Sequence, residues 1–283
     1  MTLLFPAILM AAMQVGPNPS AGSQAPGAVP PELAEQRERE ARARARRGEQ
    51  TYDEGLRACR AQIVADPRGA ARAFEDRLGD AGTDEPALRA VLHNCLGLAL
   101  AGEQDFAGAA RAFQTAFGLL PAEASGNRGY LAAMAGTAWL TAGEAQTALD
   151  LLDAAQELAP TTQLRGEIAI DRARALVMLD RAEEAAAALA IARTDAPDNA
   201  LGWLLSATLD RRAGDLDKAQ AKIERAAALD PSDPAIALEA GAIAILGGRE
   251  DAARASWESV LELAPAGPEA GTARDYLTQL EQE

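Results

Sequence analysis

The sequence is poor in the residues from which chemistry is usually assembled. It holds one histidine, His93, and two cysteines, Cys59 and Cys95. An activated nucleophile needs a base oriented by a third group, and zinc needs three or four ligands. Neither set can be built from this inventory. No G-x-x-x-x-G-K phosphate loop occurs, the glycines being scattered at turns. Carboxylates such as Glu183 and Glu184 are abundant on helices, but abundance does not make a pair in a cleft. Nothing argues for an enzyme, and no cofactor or metal is expected. Aromatics make up only 4% of the chain and β-branched residues are sparse, which disfavours sheets. Basic side chains number 27 against 42 acidic ones, a net charge of -15 that repels phosphate backbones. Nucleic acid is therefore not an expected partner; the same acidity also keeps a protein soluble and identifies no ligand.

A long apolar run is missing too. The opening stretch, MTLLFPAILMAAM, is too short to span a bilayer, so no transmembrane anchor is expected. It is followed by Gly, Pro, Ser and Ala, with small residues at Ser23 and Ala25 that suit signal cleavage, and residues 1–25 read as a secretory signal. No lysine or arginine precedes the apolar run, so a disordered cytoplasmic tail is the competing reading. The first reading places the protein in the periplasm or outside the cell, the second in the cytoplasm. Sequencing the amino terminus of the mature protein separates them.

What the chain does have is alanine, its most abundant residue, and helical periodicity. Residues 26–49 read as a Pro-rich linker and a charged helix in which Glu35, Glu38 and Glu40 alternate with Arg37, Arg39 and Arg42. From Tyr52 onward one apolar stripe carries Leu56, Cys59 and Ile63, and a second carries Ala70, Phe74 and Leu78. Asp66 and Pro67 separate them, an aspartate cap before a first-turn proline, giving a degenerate hairpin over 50–86.

The same unit recurs at 87–265. Pro121, Pro160, Pro197, Pro231 and Pro265 close successive units at intervals of 39, 37, 34 and 34 residues, a period approaching 34. Twelve residues before each stand Ala109, Ala148, Ala185, Ala219 and Ala253; twenty-four before stand Gly97, Gly136, Ala173, Ala207 and Gly241. Two small columns let paired helices cross closely. Eight residues before the prolines come Phe113, Leu152, Leu189, Ile223 and Trp257, which bury the second helix. Seventeen before come Gln104, Gly143, Asp180, Gly214 and Gly248, the expected turn, with Asp215 as the cap of the helix that follows Gly214. Asp233 and Pro234 open another helix in the same way, and 266–283 supplies a capping helix with Ala273, Tyr276, Leu277 and Leu280 on one stripe.

This register resembles the tetratricopeptide repeat family, most closely at Trp203, Ala207, Gly214, Asp215, Ala219, Ala226 and Pro231. The resemblance implies an all-α, right-handed α-solenoid of about five to six helix-turn-helix hairpins with a C-terminal capping helix. It implies a non-catalytic module that binds a peptide or partner protein in a concave groove lined by first helices. Carried over by register, that groove holds Asn94, Leu98, Tyr130, Thr137, Ile170, Arg174, Met178, Leu204, Thr208, Arg211, Arg212 and Leu238. Places where some members hold a terminal carboxylate are here mainly apolar or threonine, so the expected ligand has apolar anchors and an acidic flank meeting Arg174, Arg211 and Arg212. The expected setting is the bacterial envelope; a cytoplasmic scaffold or the regulatory subunit of an enzyme complex is the alternative. Cys59 and Cys95 lie on first helices of consecutive hairpins and admit two readings, a disulfide or two buried thiols.

Overall fold

The computed structural model describes residues 30–66, 68–80 and 85–282. The secretory-signal reading of 1–25 and the helix-opening role of Pro67 lie outside the described residues. The chain divides between Arg44 and Ala45 into two compact units. In the first, residues 31–40 are helical and exposed, with i,i+4 pairs such as Arg39 to Glu35 at 3.2 Å. Such exposed pairs contribute little to stability.

The helices are α1 (Pro31–Ala65), α2 (Ala70–Gly79), α3 (Pro86–Gly102), α4 (Phe106–Leu119), α5 (Ser125–Thr141), α6 (Ala145–Leu158) and α7 (Thr162–Met178). They continue with α8 (Ala182–Asp195), α9 (Ala200–Ala213), α10 (Leu216–Leu229), α11 (Pro234–Leu246), α12 (Glu250–Leu263) and α13 (Pro268–Leu280). No strand occurs among the described residues. The charged helix expected to end near 49 and the first helix of the hairpin expected from 50 are one element, α1, with no proline between Glu32 and Ala65 to end it.

In the second unit each consecutive pair from α3/α4 to α11/α12 forms an antiparallel hairpin, and the turn of each is built alike. Gln104, Gly143, Asp180, Gly214 and Gly248 all take positive φ, between 58° and 88°. The residue after each donates its N–H back to a carbonyl five positions earlier, Asp105 to Leu100, Glu144 to Trp139, Arg181 to Leu176, Asp215 to Asp210 and Arg249 to Ala244, every bond 2.9 Å long. This left-handed closure satisfies carbonyls that the first helix leaves open. Asp105, Thr161, Asn199 and Asp233 then accept backbone N–H groups of the next helix, Asp233 from Ala235 at 2.8 Å. Asp215 departs from its expected role. Its carboxylate takes the Lys218 ammonium at 2.8 Å instead of capping α10.

Within a hairpin the small residue twenty-four before the proline sits against the large one eight before it. A Cβ added at Gly97 would meet the Phe113 ring at 2.5 Å, one at Gly136 would meet Leu152 at 2.6 Å, and one at Gly241 would overlap the Trp257 indole. The side chain of the second helix thus fills the hollow left by the first, and the axes stay close. Trp257 is further fixed by its indole N–H, which donates to the Leu238 carbonyl at 3.2 Å, and by Tyr276 of α13, whose ring centre lies 4.8 Å away. Ala270 and Ala273 are buried as α13 covers the last hairpin.

Two consequences are measurable by urea denaturation. Gly241→Ala is expected to cost about 1–3 kcal/mol through overpacking, and Trp257→Leu in the same chain should recover part of that loss. Gln104→Gly should stabilise by about 1 kcal/mol, since a glutamine held at positive φ is strained where glycine is not.

Candidate functional site

First helices of neighbouring hairpins touch directly, α5 with α7, α7 with α9 and α9 with α11, whereas second helices meet mainly through them. Within the second unit this brings the first helices together along one face. Three clefts follow one another along that face. The first, of 400 Å³, lies among α3, α5 and α7, with Leu98, Tyr130, Met134 and Thr137 on its walls. The second, of 220 Å³, lies between α7 and α9 and carries Arg174, Met178, Thr208 and Arg212. A third, of 260 Å³, takes in Arg211, Ile245 and Leu246 beside α13.

Eight of the residues assigned to the groove by register therefore line a cleft: Leu98, Tyr130, Thr137, Arg174, Met178, Thr208, Arg211 and Arg212. Four do not. Asn94, Ile170 and Leu204 are buried and Leu238 is half-buried. All four stand twenty-seven residues before their closing proline, one turn earlier than Leu98, Thr137, Arg174 and Thr208. That position is covered by the neighbouring hairpin. Gly202 of α9 lies over Ile170, Leu204 joins a cluster with Ile236 of α11, and Leu238 packs with Tyr276 and Leu277 of α13. Residues that register reasoning passed over, Val177, Leu205 and Leu209, complete the second cleft.

Asn94 belongs to a different contact, between α1 and α3. Its amide donates to the Tyr52 hydroxyl at 2.8 Å, both groups being buried. Burial is the main reason the Tyr52 hydroxyl is pushed up to about 12, with Asp53 adding to the effect and the Asn94 bond opposing it. Further along the same two helices, Cys59 and Cys95 are joined in a disulfide with Cα atoms 5.8 Å apart. Gly55 sits against Val91 in the same contact. The basicity of His93, also on α3, is lowered, first by burial and then by Arg89.

The three arginines expected to meet an acidic flank are not equivalent. Arg211 is tied bidentately to Glu239 of α11, at 2.6 and 3.2 Å, with both side chains largely shielded. It serves to hold α9 to α11, because a forked pair of this kind fixes geometry as well as charge. Arg174 bonds Asp171 at 2.9 Å, and the other Asp171 oxygen accepts from the Thr137 hydroxyl of α5 at 2.6 Å. Arg212 is exposed, and among the described residues no carboxylate lies within ion-pair distance of it. Among the described residues no group of three or more His, Cys, Asp or Glu is placed to hold a metal, and no helix is long and apolar enough to cross a membrane.

The fold is that of the tetratricopeptide repeat proteins. Pseudomonas aeruginosa pilF superposes with a TM-score of 0.62 over 81% of this chain and 99% of its own, at 14% identity. TTC0263, a thermophilic TPR protein of Thermus thermophilus, gives 0.53 over 68% and 98%, at 21% identity. YrrB, described as a TPR protein with an unusual peptide-binding site, gives 0.50 over 72% and 99%, at 17% identity. No protein-family model matches the chain, and no curated protein matches it in sequence. At these identities the likeness establishes the architecture.

The α1 to α3 contact has a direct test. The disulfide closes a loop across a sequence separation of 36 residues, so replacing both cysteines by serine should lower stability by about 4 kcal/mol. Intact mass of the denatured, unreduced protein after alkylation should show no modified thiol.

Proposed function

We propose that this protein is a non-catalytic docking module that receives a segment of a partner polypeptide along the face formed by its first helices. The observation that carries this reading is where the exposed large apolar side chains fall. In the repeated hairpins Tyr130, Met178, Leu201 and Leu246 are 41–57% exposed and all stand on first helices, with Tyr130, Met178 and Leu246 lining clefts, while Ile191 and Leu263 on second helices are 37% and 40% exposed and Val64 is exposed near the end of α1. An apolar face left open to water on an otherwise acidic, alanine-packed chain is the physical mark of a surface that another molecule covers. The clefts are shallow and serial, which suits an extended or helical segment better than a compact small molecule. YrrB, which shares the fold, is described as having a peptide-binding site, and that supports the same reading here.

The same proposal places the protein outside the cytoplasm, in the bacterial envelope. The support is the Cys59 to Cys95 disulfide, since such bonds persist in oxidising compartments and are reduced in the cytosol. The net charge of -15 further supports a polypeptide partner over a nucleic acid.

Affinity capture from the native host, with mass spectrometry of what is retained, tests the docking role. A partner held by the wild-type protein should be lost from a Tyr130→Asp, Leu246→Asp double variant and kept by Ile191→Asp, on the second helix α8. Equal retention by both variants would move the docking surface elsewhere.

A further inference from the structure

We infer that the cleft between α7 and α9 is a specificity pocket for a polypeptide segment that carries a large apolar side chain with a carboxylate close beside it. This inference rests on the docking role proposed above and names the chemistry of what docks. The walls are Val177 and Met178 from α7 and Leu205 and Leu209 from α9, with Ala173 and Leu189 at the base. At 220 Å³ the space falls below the range of ordinary small-molecule pockets, roughly 300 to 1,000 Å³, and suits one or two side chains. Met178, 52% exposed, is unbranched and polarisable, and can settle against anchors of differing shape.

Charge decides the second half of the inference. In a chain of net charge -15, the two ionisable residues on this cleft are both arginines, Arg174 from α7 and Arg212 from α9. Arg174 gives one nitrogen to Asp171, whose other oxygen is already taken by Thr137, so its remaining donors are uncommitted and its side chain is 45% exposed. Arg212 has no carboxylate partner among the described residues, unlike its neighbour Arg211. A guanidinium without a partner beside an apolar cleft gains most when a carboxylate arrives with a side chain that dries the cleft, because the ion pair then forms in a less polar medium. The adjoining 400 Å³ cleft carries Glu167 and Asp171. The face thus runs from acidic near α5 and α7 to basic near α7 and α9, which orients the partner with its carboxylate toward α9.

A random-peptide phage library panned against the full chain, and in parallel against Arg212→Glu, tests this. The wild-type protein should enrich peptides with a large apolar residue flanked by Asp or Glu. Peptides from that pool, synthesised with a fluorescein label, should bind Arg212→Glu roughly tenfold or more weakly by anisotropy. Exchanging their acidic flank for lysine should restore binding to the variant. Met178→Glu should weaken them similarly, and Ile191→Asp should leave them unchanged. Arg212 is exposed and without an ion-pair partner, so the variant should keep the wild-type melting temperature, checked by circular dichroism. Enrichment indifferent to flank charge, or affinity unaltered by Arg212→Glu, overturns the pocket. If such peptides are still lost from the Tyr130→Asp, Leu246→Asp variant, the docking face stands without it. No enrichment, or binding that no variant alters, overturns both.

Discussion

The architecture depends on one recurring contact, a small residue on the first helix of a hairpin facing a large residue on the second. Gly97 with Phe113, Gly136 with Leu152 and Gly241 with Trp257 are the tightest cases, where a single added carbon has no room. Alanine takes the first-helix place in the remaining two hairpins, where the facing column holds Leu189 and Ile223, both buried. Close axes make the short left-handed turns sufficient, and the turns in turn fix the register of each second helix. Because the five hairpins from α3 to α12 obey the same rule, their first helices come together on one side.

That arrangement has a functional consequence. Packing first helix against first helix buries one position per repeat and leaves the position a turn later at the edge of a cleft. The pair tying Arg211 to Glu239 and the bonds linking Thr137, Asp171 and Arg174 run across the same seams, so polar side chains on this face divide into those that hold the array and those left for a partner. Arg212 is in the second class, and Met178 is its apolar counterpart.

At its amino-terminal end the second unit is closed differently. Between α1 and α2, Asp66 accepts the Gly69 N–H at 3.0 Å. Covalent and buried polar contacts to α3, the disulfide and the Tyr52 to Asn94 bond, hold α1 where the packing rule is weaker. At the other end α13 needs no such device, because Trp257 and Tyr276 give it an aromatic contact.

Much of this was legible in the residues alone. The five turn positions, including the non-glycine Gln104 and Asp180, follow from counting back from the closing prolines, and so do the small and large columns of the core, because local propensity and a fixed period act on the chain directly. What only the tertiary structure decided was the fate of residues sharing one face of a first helix. Ile170 and Arg174, or Leu204 and Thr208, are one turn apart and look alike to any helical periodicity. The neighbouring hairpin covers the first of each pair and spares the second. The same holds for Arg211 and Arg212, adjacent in sequence, one bound to Glu239 and the other left open. For Cys59 and Cys95, a distance of 5.8 Å between Cα atoms turned two alternatives into one bond. In each case the deciding quantity is a contact between hairpins, which no single helix encodes.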